Sequence, residues 1–473
     1  MPIELVQSVK PWQWRSLALN NRTASEIFAA LFLDSEIATL LESPGEQADL
    51  EQPQLSRYSI CGGAPRQIQG KMRLWTPQVG SILPFLRSLL ASGSSKSNPS
   101  ELAHLPFTGG WLGWLGYDLA GEIEELPELN QDTLPFPVAY WYEPECFAVL
   151  DHRLQTLWLA AGSTEQLDEL EVKLAVNQAT EILSHSTTAT PIKPITFLTD
   201  RQQYQDAVRR AKSYITAGDI FQTNLSLRFQ TSTTNDSWSI YRQLQQINPS
   251  PFASYWRSPW GDVISCSPER LVQLEGSVAQ TRPIAGTRKR GVDPTSDHTL
   301  AQELATDSKE RAEHIMLVDL ERNDLGRVCR WGSVEVDELL VIERYSHVMH
   351  LVSNVKGILP GDRNAIDLIQ GVFPGGTITG CPKVRCMEII AELEPVARSL
   401  FYGSCGYLDH RGNLDLNILI RTLLYVKEDA KEPGAAQVYG QVGAGIVADS
   451  VPEREWLESL SKAEAQIAAL RIE

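Results

Sequence analysis

LATDSKERAEHIMLVDLERNDLGR, residues 304–327, is the stretch around which the rest of the chain can be interpreted. Its middle predicts a helix with a broad apolar side, formed by Ile315, Met316, Leu317, Val318 and Leu320. Glu310 and Glu313 stand three residues apart, which places both carboxylates on one helical face. Like charges at this spacing destabilise a helix by roughly a few tenths of a kcal/mol. We therefore expect a cation beside them, and a solvated acidic face is the alternative interpretation.

A second acidic helix is predicted near the C-terminus, in ADSVPEREWLESLSKAEAQIAAL, residues 448–470. Ser450 is the expected N-cap, with Glu453 completing a capping box. Glu455 and Glu458 repeat the three-residue spacing of the first pair. Two helices that each offer a carboxylate pair can bind a hard divalent cation through oxygen, with waters completing its shell. Mg²⁺ suits these pairs better than zinc, because no Cys or His accompanies them.

Composition excludes several classes of function. The chain has 473 residues, of which 42% are hydrophobic, as in ordinary globular proteins. A net charge of −17 argues against nucleic acid or an anionic membrane as partner. An anionic substrate must then be met by a local cation. The seven cysteines are odd in number and scattered, which predicts reduced thiols in a reducing compartment, the cytoplasm, or the stroma if a transit peptide has been removed. We expect no signal peptide and no membrane-spanning run.

The order of the chain predicts an α+β fold in which two β-sheets pack face to face with helices outside. Long antiparallel-looking strands alternate with helices after residue 200. Residues 1–190 are expected to form an N-terminal lobe that completes one sheet and resembles a regulatory, amino-acid-binding lobe. Residues 191–473 are expected to form the catalytic domain. The linker candidate is SHSTTATPIKPI, residues 184–195, which is rich in Ser, Thr and Pro.

Isolated polar residues in apolar surroundings are further candidates. Arg421 lies inside the apolar strand NILIRTLLYV, where a guanidinium requires either a substrate carboxylate or a structural salt bridge. His350 is either a satisfied core histidine or a catalytic one. Glu269, at the end of a strand, either acts as a general acid with a raised pKa or forms an ion pair.

Two glycine-containing motifs allow opposite conclusions. FPGGTITGCPK, residues 373–383, lacks the spacing of a nucleotide phosphate loop. Its glycines either leave N–H groups free for an anion at a helix start or form a tight turn in the core. Cys405, in GSCGY, is not followed by the His and Glu that a glutamine amidotransferase needs. We interpret it as a packing residue, so this chain is not expected to hydrolyse glutamine.

Together the motifs resemble the chorismate-utilising enzymes, in particular component I of aminodeoxychorismate synthase (para-aminobenzoate synthase) and of anthranilate synthase. The resemblance covers nearly the whole chain. It is dense in the motifs GDIFQTNLSLRF, SPERL, TRPIAGTRKRG, KERAEHIMLVDLERNDLGR, ERYSHVMHLVSNV, FPGGTITGCPK, GYLD, IRT and GAGIVADS. It implies amination of chorismate with Mg²⁺ as cofactor and with ammonia delivered by a separate glutamine amidotransferase subunit.

The resemblance also implies roles for particular residues. Glu313 and Glu458 would bind Mg²⁺ directly, and Glu310 and Glu455 through waters. Glu269 would help the C4 hydroxyl of chorismate to leave. The positions around the substrate are Gly286, Thr287, His350, Tyr407, Arg421, Gly443, Gly445 and Lys462, of which Thr287, His350 and Lys462 are also catalytic candidates. Gln222 stands where relatives that add water carry a lysine base, which favours ammonia as the nucleophile here.

Particular residues divide the two branches of the family. Ala285 stands where aminodeoxychorismate synthases often carry a nucleophilic lysine and where anthranilate synthases carry alanine. FPGGTITG, Asn224 and PFAS at 251–254 are closer to the aminodeoxychorismate type, whose product enters para-aminobenzoate and folate synthesis. FLDS at 32–35 or LLES at 40–43 could form part of an amino-acid pocket. We expect 4-amino-4-deoxychorismate as product, with anthranilate plus pyruvate as the alternative. A non-catalytic chorismate sensor would have lost the glutamates, which are all present.

Overall fold

The computed structural model describes residues 11–44, 56–93, 100–127, 130–178, 193–344, 348–427 and 435–471. The helices of this part are α1 (Ala24–Leu31), α2 (Ile82–Gly93), α3 (Ala120–Ile123), α4 (Thr164–Gln178), α5 (Arg201–Ala217), α6 (Ser237–Ile247), α7 (Pro294–Thr306), α8 (Ser308–Gly326), α9 (Ala365–Val372), α10 (Lys383–Leu393) and α11 (Pro452–Ala469).

The first strands are β1 (Gln13–Ala18), β2 (Ala38–Glu42), β3 (Tyr58–Gly62), β4 (Gln67–Ile68), β5 (Lys71–Met72), β6 (Leu74–Trp75), β7 (Gly110–Leu115), β8 (Ala139–Tyr142), β9 (Phe147–Asp151), β10 (Thr156–Ala161), β11 (Thr196–Phe197) and β12 (Gln222–Thr233). The later ones are β13 (Phe252–Ser258), β14 (Gly261–Ser267), β15 (Arg270–Glu275), β16 (Val278–Thr281), β17 (Ile284–Lys289), β18 (Glu335–Arg344), β19 (Val348–Ile358), β20 (Gly380–Cys381), β21 (Ser404–Asp409), β22 (Leu414–Asn417), β23 (Thr422–Lys427) and β24 (Ala436–Ile446).

Two large antiparallel sheets confirm the predicted α+β class. The 12-stranded sheet runs β1-β10-β9-β3-β2-β13-β14-β23-β24-β12-β11, with β20 paired to β12. The 10-stranded sheet runs β17-β19-β16-β15-β22-β21-β7-β8-β6, with β18 paired to β19. Strands of the first 161 residues enter both sheets, whereas the sequence had predicted that they complete only one. The expected domain boundary after residue 190, and most of the linker at 184–195, lie outside the described residues.

The hydrophobic core lies in two layers. Between the sheets, Trp114 of the smaller sheet meets Trp256 of the larger one, with ring centroids 5.8 Å apart. The opposite face of the larger sheet is covered by α1, α4, α5, α6 and α11, where Tyr204 and Tyr241 are fully buried. The sheets therefore pack face to face, and helices cover the outside. Such burial of large aromatic rings is a major source of stability.

The two acidic helices, α8 and α11, begin at residues that the sequence did not predict. α8 does not continue from α7, because Asp307 ends one helix and caps the next by accepting hydrogen bonds from the amides of Lys309 and Glu310. In α11, Val451 occupies the N-cap position and no side chain caps the helix, so the predicted capping box at Ser450 is wrong. The Ser450 hydroxyl instead accepts a hydrogen bond from the Val447 amide at 3.0 Å.

Candidate functional site

The carboxylate pairs of α8 and α11 face a common region. The pKa of Lys309, in the first turn of α8, reflects the charges of both pairs. Burial alone would lower its pKa, yet the net shift is upward because it feels the negative charges of Glu313, Glu455, Glu310 and Glu458. Glu313 and Glu458 also act on each other electrostatically. Segments about 140 residues apart in sequence therefore supply one cluster of charge.

The carboxylates of this acidic cluster have cationic neighbours in Arg288, Lys309 and Lys462, yet the pKa values of Glu313 and Glu455 are still raised. Burial raises the pKa of Glu313, and the charges of Glu310 and Glu458 add to the rise, although Lys309 opposes it with its Nζ 3.7 Å from Glu313 Oε1. Burial, with the charge of Glu458, also raises the pKa of Glu455. Carboxylates held together against their repulsion favour a bound cation.

The donor chemistry of the acidic cluster fits a hard divalent cation. All four candidate ligands are carboxylates, the oxygen donors that Mg²⁺ prefers. Among the residues that the structure describes, no three His, Cys, Asp or Glu side chains converge into a ready-made metal site. Mg²⁺ characteristically keeps several waters and binds one or two protein carboxylates together with its substrate. Two separated carboxylate pairs suit this mode of coordination better than a site in which protein atoms surround the ion completely.

A β-bulge brings the next group of predicted residues against α8. Gly286 sits in the irregularity between β17 and β19 with a φ of +66°, a conformation that favours glycine. A Cβ atom there would lie 3.0 Å from Glu310 Oε2, so the strand and the acidic helix are in close approach. Immediately after it, Thr287 pairs with His350, and Thr287 Oγ1 lies 3.0 Å from His350 Nδ1.

His350 is held neutral at this place. Burial, aided by the positive charge of Arg421, lowers the pKa of His350 to about 4, although a backbone contact with Gly286 opposes the change. The imidazole is therefore uncharged at neutral pH. A neutral imidazole offers no positive charge to an anion.

Arg421 is a buried cation without a carboxylate partner among the described residues. Its Nη1 donates a hydrogen bond to the carbonyl oxygen of Lys462 at 2.8 Å. Burial lowers the pKa of Arg421, which shows that its surroundings do not compensate the charge. The salt bridge that the sequence left open is therefore not found in the described part of the chain. A guanidinium in this state fits a substrate carboxylate.

Lys462 and two glycines border Arg421. Lys462 Nζ donates to the carbonyl oxygen of Gly443 at 3.0 Å and lies 2.9 Å from Glu458 Oε1. This lysine thus joins the acidic cluster to β24. A Cβ atom at Gly445 would lie 2.6 Å from Gln222 Nε2, and one at Gly443 would lie 3.0 Å from Asn224 Oδ1. The glycines make room for two amide side chains of β12.

Those two amides contain buried acceptors without donors. Within the described structure, Gln222 Oε1 and Asn224 Oδ1 have no hydrogen-bond partner. A buried acceptor left unpaired costs about 1–3 kcal/mol. A donor on a ligand is one way to complete such groups. Ammonia and the hydroxyl group of a small substrate are both donors of the required kind.

Glu269, between β14 and β15, is a carboxylic acid that keeps its proton. Burial is the main reason that its pKa rises to about 8, and the nearby Glu321 adds to the shift. The Thr377 hydroxyl lies beside the carboxyl group and opposes the rise, without the alignment of a full hydrogen bond. A neutral carboxyl near pH 7 can donate a proton to a leaving group.

Tyr407 is the predicted site residue that the structure places elsewhere. It lines a cavity of about 120 Å³ between the two sheets, together with Arg270 and Asp415. The tyrosine beside Arg421 is Tyr402, whose buried ring also lies 4.6 Å from the guanidinium of Arg398. The sequence could not separate these tyrosines, because each stands next to a glycine before or within the same strand.

The cavity that Tyr407 lines includes one of the two segments that were predicted to form part of an amino-acid pocket. Leu41, Glu42 and Ser43 of LLES line it, as do Phe252 and Ala253 of PFAS, whereas FLDS does not.

Cys405 also lines this cavity, and burial raises the pKa of its thiol to about 11. A thiol that holds its proton so strongly is a packing residue rather than a nucleophile.

No helix in the described ranges is both long enough and apolar enough to span a membrane.

Comparison with known proteins gives the class to which this fold and site belong. The chorismate binding enzyme family matches residues 49–468. The chain belongs to this family of chorismate-binding enzymes. A crystal structure of anthranilate synthase component I from Streptococcus pneumoniae TIGR4 is similar, with a TM-score of 0.72 and 31% identity, covering 87% of this chain and 92% of that one.

Named relatives come from both branches of the family. A Synechocystis protein named "Anthranilate synthase component I-like protein" is 60% identical over 468 residues, covering 98% of this chain and 93% of the relative. Aminodeoxychorismate synthase component 1 of Bacillus subtilis is 42% identical, covering 92% and 93%. Anthranilate synthase component 1 of the same Synechocystis strain is 39% identical, covering 88% of each chain.

Proposed function

We propose that this chain aminates chorismate with loss of its C4 hydroxyl, using ammonia and Mg²⁺. What supports the proposal is the shared environment of the α8 and α11 carboxylates: Lys309 Nζ lies 3.7 Å from Glu313 Oε1, and the charges of Glu455 and Glu458 act on the same lysine. A dianionic substrate is repelled by a chain of net charge −17 unless local cations bind it. Arg421 and a metal held by the acidic cluster supply two such cations.

In this proposal Glu313 and Glu458 bind Mg²⁺ directly, and Glu310 and Glu455 bind it through waters. When bound, Mg²⁺ holds the ring carboxylate of chorismate and stabilises negative charge that develops there. Arg421 binds the second carboxylate, that of the enolpyruvyl group. These contacts place the C4 hydroxyl for protonation by Glu269.

The proton and the nucleophile come from different groups. Glu269 is protonated at neutral pH and gives its proton to the departing hydroxyl, which leaves as water. Gln222 offers an amide, not a base, and ammonia needs none because, unlike water, it is a strong enough nucleophile to attack without first losing a proton. The N–H groups of ammonia are donors that match the unpaired oxygens of Gln222 and Asn224. We infer that a separate glutamine amidotransferase supplies the ammonia in the cytoplasm.

The two candidate functions differ in their product. The names of the relatives weigh toward anthranilate, since the 60% relative is called anthranilate synthase component I-like and the aminodeoxychorismate relative is 42% identical. Ala285 points the same way. Aminodeoxychorismate remains the second candidate because of FPGGTITG and Asn224. In addition, Synechocystis carries a separate protein named anthranilate synthase component 1, which is only 39% identical to this chain.

One incubation tests the proposal and separates the products. The purified chain is mixed with chorismate, Mg²⁺ and an ammonium salt, and products are resolved by mass and fluorescence. Fluorescent anthranilate plus pyruvate identifies the anthranilate branch, and an aminated product that retains the enolpyruvyl group identifies the other. If chorismate is not consumed under these conditions, the proposed function is wrong.

Glu313→Gln tests the metal assignment. We expect it to abolish Mg²⁺-dependent turnover and to weaken Mg²⁺ binding at least tenfold by calorimetry, because a direct carboxylate ligand is lost. The fold should be retained, since the side chain is only half-buried and its neutralisation relieves repulsion. Asp319→Asn, which removes a carboxylate from the exposed side of the same helix, is the matched control. Unchanged Mg²⁺ binding in Glu313→Gln would refute the assignment.

A further inference from the structure

Arg398 is a buried arginine between α10 and β21 that the sequence did not single out. It is 2% exposed. Its Nε and Nη2 donate to the two oxygens of Glu394, at 2.9 Å and 2.7 Å. Glu394 Oε1 also accepts from the backbone amide and the hydroxyl of Ser226, each at 2.8 Å. This bidentate pair, anchored on β12, fixes both the position and the plane of the guanidinium.

The N–H groups of Arg398 also reach two backbone segments of the candidate site. Nη1 donates to the carbonyl oxygen of Ile378 at 2.8 Å, in the glycine-rich loop 373–382 that joins α9 to α10. Nη2 donates to the carbonyl oxygen of Asn224 in β12, also at 2.8 Å. A single planar group therefore joins the loop to the strand whose side chains include the two unpaired amide oxygens.

The same loop contacts the two amide residues directly. The backbone amide of Asn224 donates to the carbonyl oxygen of Thr379 at 2.8 Å, and Asn224 Nδ2 donates to that of Thr377 at 3.5 Å. Gln222 pairs with Cys381, near the end of the loop. The orientation of the Asn224 amide, and with it the direction of the unpaired Oδ1, therefore depends on how the loop lies against β12.

Two tyrosine rings lie beside the guanidinium of Arg398 and limit its movement. The guanidinium carbon lies 4.7 Å from the centre of the Tyr117 ring and 4.6 Å from that of the Tyr402 ring. Arginine suits this place, because its planar fork can stack on aromatic rings and serve several acceptors at once. Since Glu394 already offsets its charge, Arg398 is not available to bind a substrate carboxylate, unlike Arg421.

We propose that Arg398 is a positioning residue for the ammonia site, which joins β12 to the glycine-rich loop and thereby orients the amides of Gln222 and Asn224 toward the nucleophile. The inference rests on the proposed function for ammonia as the substrate that these amides bind. Arg398 acts through backbone atoms of the site, so its replacement should weaken the binding of ammonia selectively. Chorismate is held by Arg421 and by the metal, and its binding should change little.

Arg398→Lys tests this role by steady-state kinetics with ammonium as the nitrogen source. Lysine keeps a positive charge beside Glu394, but one ammonium group cannot serve the carboxylate and both carbonyl oxygens at the same time. Because hydrogen bonds that orient the amides are lost, we expect the KM for ammonium to rise roughly tenfold. The KM for chorismate should be unchanged.

Arg228→Lys is the matched control. Arg228 is 1% exposed and lies on β12, but its guanidinium donates to Gln441 Oε1 at 2.9 Å and to the carbonyl oxygen of Ala397. Its replacement should lower the Tm without a selective rise in the KM for ammonium. A merely structural role for Arg398 would give the same result in both variants.

A double-mutant cycle with Asn224→Ala shows whether Arg398 acts through this amide. Asn224→Ala alone should raise the KM for ammonium by a similar factor. Arg398→Lys added to it should raise the KM little further, because the effects of residues that act as one unit are not additive. Effects that multiply in full would show that the two residues act independently, and they would overturn the inference.

Ser226→Ala covers the case in which Arg398→Lys does not fold. It removes one donor that anchors Glu394 and leaves the ion pair with Arg398 in place, so we expect a smaller selective rise in the KM for ammonium. An unchanged KM for ammonium in whichever of the two variants folds, or a rise that Arg228→Lys shares, would overturn the inference. An absence of chorismate consumption by the wild type would count against the proposed function itself.

Discussion

Glu269→Gln is expected to lower the rate of chorismate amination by roughly 10²–10⁴-fold, which is the usual contribution of a general acid. The amide occupies the same volume but has no proton acidic enough to give to the leaving hydroxyl. Steady-state rates with ammonium as nitrogen source measure the effect directly. Exposed Glu303, replaced by glutamine in the same way, serves as the control.

The same variant should be more stable than the wild type in alkaline solution. Glu269 has a pKa of about 8 in the folded chain against 4.5 for an unperturbed glutamate. Between these two values the folded state holds a proton that the unfolded state has released. The free energy of unfolding therefore falls as pH rises through this window. Glutamine removes this loss.

Urea unfolding at pH 5 and at pH 8.5 tests the stability change. We expect Glu269→Gln to exceed the wild type by roughly 4 kcal/mol at the higher pH, and by much less at pH 5, which lies only just inside the window in which the wild type loses stability. Equal pH dependence in the two proteins would show that the folded carboxyl is already ionised at neutral pH, and the acid assignment would fail.

Arg421→Gln is expected to reduce kcat/KM for chorismate by roughly 10²–10³-fold, because removing one partner of a buried charge pair costs about 2–5 kcal/mol. The variant should nevertheless fold at least as stably as the wild type. The guanidinium is buried without a carboxylate partner in the described structure, so its burial is itself unfavourable.

Arg421→Lys is the informative companion variant. It keeps the positive charge but loses the planar pair of donors that fits a carboxylate, and we expect an intermediate loss that appears mainly in KM. A substrate affinity that is unchanged in both variants would show that Arg421 does not contact chorismate. A large loss of stability in Arg421→Gln would show that the guanidinium is structural.

The metal-binding candidates could be predicted because their signal is local. Glu310 and Glu313 share a helical face by spacing alone, and so do Glu455 and Glu458. That the two faces meet was an inference from charge and from family resemblance, and in the structure the charges of the two pairs act on one another and on Lys309. The break at Asp307 and the unused cap at Ser450 were harder, since both depend on how the neighbouring chain enters the helix.

Features that depend on distant packing could not be predicted. Tyr407 lines the cavity between the sheets whereas Tyr402 lies beside Arg421, and this difference depends on how β21 pairs with β7 and β22.

A crystal structure of the chain with Mg²⁺ and chorismate tests the central claim most directly. The metal is expected between Glu313 of α8 and Glu458 of α11, in contact with the ring carboxylate, while the enolpyruvyl carboxylate meets Arg421. The C4 oxygen should lie within hydrogen-bond distance of Glu269. A chorismate molecule bound only in the cavity between the sheets, or a metal bound away from these two helices, would contradict the account.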